Sequence, residues 1–349
     1  MKTYFVGIDF SAATFNAAIL RKEANDPTGT LLGESKFPND REGVMGLRDW
    51  IETFLGEEED FSAVLACGED TGVYSRLLPT AFSKMGIDFW LQNALSIKNG
   101  RGDICRKKDD KADAVAIAEY ACTFREKAKP FQPLTEVMEE LRDAHSFRRH
   151  LVCQRTAVKN RIDNEKERLN ARPESEVLTH TLKALERQKK ALDKEIKRID
   201  KLLLKLIESD PELKSIYGCV TSVKGIGKVT AVILIVVTNC FTRFDNYRQL
   251  ASYFGVAPFP HQSGKMDKGN HRSHFADSYL ASILTMGARA AIKWDPKIRA
   301  YAERLLKKGK PYMVVINNVR YKLLKYAFVC AKRRLKYDPN FTNPIFNAA

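Results

Sequence analysis

Tyr4-Phe5-Val6-Gly7-Ile8-Asp9 is an apolar run that stops on a single carboxylate, and it reads as a short buried strand. Thr14–Leu20 reads as its hairpin partner across Ser11-Ala12-Ala13, and Thr30–Phe37 as a third strand. Helical spacing follows at Val44, Leu47, Ile51 and Leu55, and the acidic run Glu57–Asp60 closes that segment. Ser62–Cys67 is another buried strand, Tyr74–Met85 a helix, Ile87–Leu91 a strand and Asp110–Phe124 a helix.

Three strands followed by alternating helix and strand is the order of an α/β ribonuclease H-like (RuvC-like) domain, and residues 1–130 are assigned to it. Asp9 ends the first strand, and Glu69 stands in the same relation to Ser62–Cys67, which would lie beside it. Asp110 and Asp113 are three apart at a helix start, so both leave one face. Four converging carboxylates would repel one another without a cation, and they suit a hard ion such as Mg²⁺ or Mn²⁺. Each also has a plainer role. Asp110 or its neighbour Asp109 would cap the helix, and Glu69 would be a surface loop residue.

Between about 135 and 210 the period changes. Val137, Leu141, Ala144, Arg148, Leu151, Arg155, Val158 and Ile162 step by alternating fours and threes, as do Leu182, Leu185, Lys189, Leu192, Ile196 and Ile199. Arg172-Pro173 separates the two ladders. This heptad pattern predicts two long coiled-coil helices over 131–212, packed within the chain or against another subunit, with Arg148, Arg155 and Lys189 fixing register. Residues 213–338 form a mostly α region, with one long polar loop at His261–His274, and 339–349 a tail.

Net charge is +15 over 349 residues, but it is segregated. Residues 1–130 carry 17 Lys and Arg against 21 Asp and Glu, and the remainder 41 against 22. A basic excess confined to one part of the chain points to a polyanion, since each cation at a phosphate releases condensed counterions. A solvated surface is the simpler reading. The seven cysteines contain no C-x-x-C pair, which argues against a zinc cage or disulfide framework and for reduced thiols in a cytoplasm. Asp9 interrupts the first apolar run, so no signal peptide is expected there, and Val229–Val237 is too short to span a membrane.

Val223-Lys224-Gly225-Ile226-Gly227-Lys228 precedes an apolar helix and has the look of a helix-hairpin-helix element. Free N–H groups of Gly225 and Gly227 would face a nucleic-acid phosphate, with Lys224 and Lys228 beside them, although a tight packing turn reads as well. Ser263, flanked by Lys265, Lys268 and Arg272, is a candidate nucleophile toward a phosphodiester, among other loop serines such as Ser252 and Ser273. A triad with His261, His271 or His274 is disfavoured, because no G-x-S-x-G elbow is present.

Gly7-Ile8-Asp9-Phe10-Ser11, Glu69-Asp70-Thr71-Gly72-Val73-Tyr74 and Asp110-Lys111-Ala112-Asp113-Ala114 resemble the acidic motifs of the DEDD transposases of the insertion-sequence 110 family. The stretches Val223–Gly227, Gln249–Pro258 and Gln262-Ser263-Gly264-Lys265 resemble that family's C-terminal transposase domain. Asp70 stands where Ala is more usual, and Ala112 where Asn is. The resemblance implies Asp9, Glu69, Asp110 and Asp113 as metal-binding catalytic residues and Ser263 as the nucleophile of a serine recombinase. It further implies transposition guided by a bridge RNA that pairs with donor and target DNA. A tetramer with composite sites, in a bacterial cytoplasm at the nucleoid, completes the expectation. Three other readings stand beside it, one of them a non-enzymatic DNA-binding scaffold, which would not explain the carboxylates. A hydrolytic junction resolvase would need no serine, and Gly7-x-Asp9-x-Ser11 also opens actin-like sugar kinases, which need a second glycine-rich motif absent here.

Overall fold

A computed structural model describes the backbone at residues 3–23, 29–57, 59–100, 110–257, 259–263, 266–271 and 278–340, with side chains except at 110–111, 259–263 and 266–271. The chain divides into two compact units, Met1–Pro133 and Leu134–Ala349.

The first unit is built on a five-stranded sheet of order β3-β2-β1-β4-β5. β1 (Tyr4–Phe10), β2 (Thr14–Arg21) and β3 (Thr30–Pro38) are antiparallel neighbours. β4 (Val64–Glu69) and β5 (Asp88–Gln92) add in parallel on the other side of β1. Parallel strands need crossovers, and both faces of the sheet are accordingly covered. Tyr4, Val6 and Ile8 pack with Val44, Leu47 and Ile51 of α1 (Arg41–Glu52) and with Leu78 and Phe82 of α2 (Leu77–Lys84). The alternate residues Phe5, Leu65 and Cys67 face Ile97 of α3 (Ala94–Gly100) and Ile117, Ala118 and Ala121 of α4 (Asp110–Thr123). Each fully buried Leu or Ile adds roughly 1.5–3 kcal/mol, so the alternation alone fixes which face each residue takes.

Sequence periodicity places Glu69 beyond its strand, whereas it is the strand's last residue. Phe61–Ala63 form a 3₁₀ turn capped by Asp60, and this delays the start of β4. The expected helix from Tyr74 begins at Leu77, because residues 72–76 are held in a turn.

In the second unit α5 (Glu136–Ala171) and α6 (Glu176–Ser209) are the two long helices of the heptad ladders. Thr135 and Ser175 cap them, each accepting from a backbone N–H three residues on. They pack against each other within the chain. Arg148 reaches Asp200 at 2.5 Å and Arg155 reaches Asp193 at 3.4 Å, a descending pairing that makes the hairpin antiparallel. Arg148 is nearly buried, so its pair fixes register more firmly than the half-exposed Arg155 pair does. Then follow α7 (Pro211–Thr221), α8 (Lys228–Thr238), α9 (Tyr247–Tyr253), α10 (Ser278–Trp294), α11 (Pro296–Lys307) and α12 (Tyr312–Arg333). They share one apolar core with the base of the long hairpin, including Leu141 and Leu203.

The long polar loop expected at His261–His274 contains an antiparallel hairpin instead: β6 (Phe259–Ser263) and β7 (Met266–His271). Ser263 pairs with Met266. No described helix is long and apolar enough to cross a membrane.

Candidate active site

The C-terminal edge of β1 and β4 is where the expected carboxylates lie. β1 and β4 run in parallel with Gly7 beside Cys67 and Ile8 beside Gly68. One step further, Asp9 and Glu69 occupy equivalent positions, and alternation puts both on the face covered by α4. Both are half-buried. On α4, Ala114, Ile117, Ala118 and Ala121 are buried, and Asp113 is half-buried in the first turn.

The direction of α4 follows from two glycines. A Cβ on Gly7 would stand 2.0 Å from the carbonyl oxygen of Ala114 and 2.3 Å from the nitrogen of Ala118. A Cβ on Gly29 would meet Cys122 Sγ and Leu20 at 3.6 Å, and Leu20 pairs with Phe5 near the start of β1. The helix therefore descends toward the beginning of β1, and its first turn overlies the Asp9 end. Asp9, Glu69 and Asp113 share that end of the sheet. Asp110 begins α4, but its side chain lies outside the described residues.

Gly7 thus has a packing reason that its strand does not reveal. A methyl there would intrude on the helix hydrogen bond between Ala118 and Ala114. Gly7→Ala is expected to cost about 3 kcal/mol or more, at the upper end for overpacking a core. Urea denaturation measures this, and unchanged stability would show that α4 does not lie so close.

Two asparagines at this edge carry no signal in the sequence. Asn16 pairs with Asp9 across β1 and β2, on the same face, and is 9% exposed. Asn39 donates through Nδ2 to the carbonyl oxygens of Ser11 and Tyr74, both at 3.0 Å. It ties the turn after β1 to the turn after β4. Asp70 builds that second turn, accepting from Gly72 N–H at 3.2 Å and from the buried Ser75 hydroxyl at 3.4 Å. Buried polarity of this kind becomes visible only once strand register is known.

The donor chemistry suits a hard divalent ion, since every candidate offers carboxylate oxygen. Among the described residues, no three His, Cys, Asp or Glu side chains stand close enough together to hold one. The fourth candidate, Asp110, is outside that description.

In the second unit, the turn between α7 and α8 separates its two readings residue by residue. Gly225 has φ +96°, and a Cβ on it would stand 2.4 Å from the carbonyl oxygen of Gly287 on α10. It serves close packing. Lys224, Gly227 and Lys228 are exposed, and Gly227 caps α8 without a side-chain hydrogen bond. Ser263 is the last residue of β6 and Lys268 lies in β7, with both side chains outside the description. Lys265 and Arg272 lie outside the described residues altogether.

Residues 6–165 match the DEDD transposase family of IS110, and residues 217–303 match the Transposase IS116/IS110/IS902 family. The chain belongs to the IS110 family of transposases. The first match takes in Asp9, Glu69, Asp110 and Asp113, and the second takes in the α7–α8 turn and Ser263. The chain is 26% identical over 351 residues to the pilin gene-inverting protein of Moraxella lacunata, covering 97% of this chain and 98% of the relative. Its similarity to the pilin gene-inverting protein of Moraxella bovis is 25% over the same span. A stretch of 92 residues, 26% of the chain, is 34% identical to an insertion element IS110 uncharacterized 43.6 kDa protein of Streptomyces coelicolor. IS110 transposases act on DNA, so membership implies cleavage and rejoining of DNA strands and replaces the sugar-kinase reading.

Proposed function

We propose that this transposase cuts and rejoins donor and target DNA through a covalent link from Ser263 to a DNA phosphate, guided by a structured RNA. The observation that carries the reading is the shared step and face of Asp9 and Glu69 beneath the first turn of α4. The sheet order and the descending helix support the ribonuclease H-like reading of the first unit. Asp9, Glu69, Asp110 and Asp113 would hold Mg²⁺ or Mn²⁺, which when bound stabilises charge on a phosphoryl group. The chain's own part is to hold that end of the sheet rigid, through Gly7 and Asn39, and to present a serine from a hairpin in a basic setting.

Attack of Ser263 Oγ on phosphorus would form a serine–5′-phosphate bond as the P–O3′ bond breaks and frees a 3′-hydroxyl, so the phosphodiester bond energy is conserved and rejoining needs no nucleoside triphosphate. The gene inversion named for the Moraxella relatives is one form of such conservative exchange. Assembly as a tetramer, with acids and serine drawn from different subunits, belongs to the same proposal, as does action on chromosomal DNA in a bacterial cytoplasm.

Sequencing the nucleic acid that copurifies with the protein tests the guided reading. A discrete structured RNA, needed for recombination and lost steeply as salt rises, is the expected result, because several phosphates are neutralised together. Recombination by protein free of RNA would overturn the guide.

A further inference from the structure

A groove of about 350 Å³ between α11 and α12 carries Lys297, Arg304 and Lys322 beside Tyr301 and Tyr326, and among the described residues no carboxylate lines it. The aromatic rings hold Arg304 and Lys322 in place. Lys322 Nζ lies 4.2 Å from the centroid of Tyr301, and the Arg304 guanidinium 5.4 Å from the same ring. One turn further along α12, Lys325 Nζ lies 5.2 Å from the ring of Tyr247. Burial, and then the charges of Lys325, Arg304 and Lys297, hold the Lys322 ammonium below its ordinary range. A cluster of like charges in a half-buried groove opposes folding, and cation–π contacts of about 0.5–2 kcal/mol only partly offset it.

The positive track continues. A second hollow shares Lys297 and Tyr326 and adds Arg333 and Lys336, with Asp338 as the carboxylate on its lining. From Lys322 to Arg333 the axis of α12 rises about 16 Å. That is the rise of about five nucleotides in one strand, too long for a single phosphate and matched to a polymer of them.

We propose that the α11–α12 groove grips the phosphodiester backbone of DNA, independently of sequence and apart from both the 224–228 turn and the Ser263 hairpin. The proposal rests on the reading of this chain as a DNA recombinase. Cations pre-ordered on tyrosine faces lose little freedom on meeting phosphates, so the site favours backbone contact over base reading.

The test uses full-length protein, a fluorescently labelled random-sequence DNA duplex and anisotropy titrations over a range of salt. Lys297→Gln/Arg304→Gln is expected to weaken binding roughly tenfold and to reduce the salt slope by about two, near 0.9 per lost phosphate contact. Lys322→Gln should act in the same direction by about half as much. Tm should stay level or rise in Lys322→Gln, because burial and like-charge repulsion are relieved, and a purely structural role would lower it. Unchanged affinity and slope in variants of a DNA-binding wild type would overturn the groove while leaving the recombinase reading intact. Loss of affinity for a structured RNA hairpin with DNA affinity unchanged would also overturn it. A wild type that binds no DNA would remove both.

Discussion

Asp9→Asn and Glu69→Gln are each expected to lower DNA strand cleavage by about a thousandfold or more, corresponding to about 4 kcal/mol of lost charge stabilisation at the phosphoryl group. Affinity for nucleic acid should stay within about twofold, since binding comes from the basic part of the chain and the carboxylates act on the barrier. The two substitutions are nearly isosteric, and both residues sit at the sheet edge rather than in its core, so folding is preserved. Each substitution replaces one of the four proposed carboxylate donors with a neutral amide, which a hard divalent ion binds less well. Gel-based cleavage in Mg²⁺, with and without chelator, measures the effect. Cleavage that persists in chelator, or in both variants, would sink this assignment.

Ser263→Ala is expected to abolish the protein–DNA adduct, whereas Ser252→Ala and Ser273→Ala retain it. Free serine is a poor nucleophile at neutral pH and attacks only where its proton has an acceptor and the developing charge is stabilised. Ser263 is the last residue of its strand and pairs with Met266 of the next. If the acids come from a neighbouring subunit, mixing Ser263→Ala with Asp9→Asn protein should recover some activity that neither shows alone. Recombination assays on the mixture report this directly. A full adduct from Ser263→Ala would show that a different residue attacks.

β1, β2 and β4 were legible because strands buried on both faces demand nearly continuous apolar runs, as in Tyr4–Ile8. Asp9 and Glu69 stood out because each breaks such a run. What Gly7 does was not legible, since its neighbours Ala114 and Ala118 are more than a hundred residues away. Asn16 was hidden for the same reason: only the register with Asp9 gives it meaning. The long helices announced themselves by heptads, but their partner did not. Arg148 and Arg155 are seven apart, as are Asp193 and Asp200, and that matched spacing contained the in-chain pairing. The β6–β7 hairpin escaped because neither Phe259–Ser263 nor Met266–His271 shows an apolar–polar alternation in sequence.

The most direct test of the central claim is to trap wild-type protein on cleavable DNA, digest the complex and locate the nucleotide-bearing peptide by mass spectrometry. The account predicts a phosphodiester-linked nucleotide on Ser263, formed only with divalent metal and absent from Asp9→Asn protein. Metal-dependent cleavage with no linked peptide, or with the nucleotide on another residue, would contradict it.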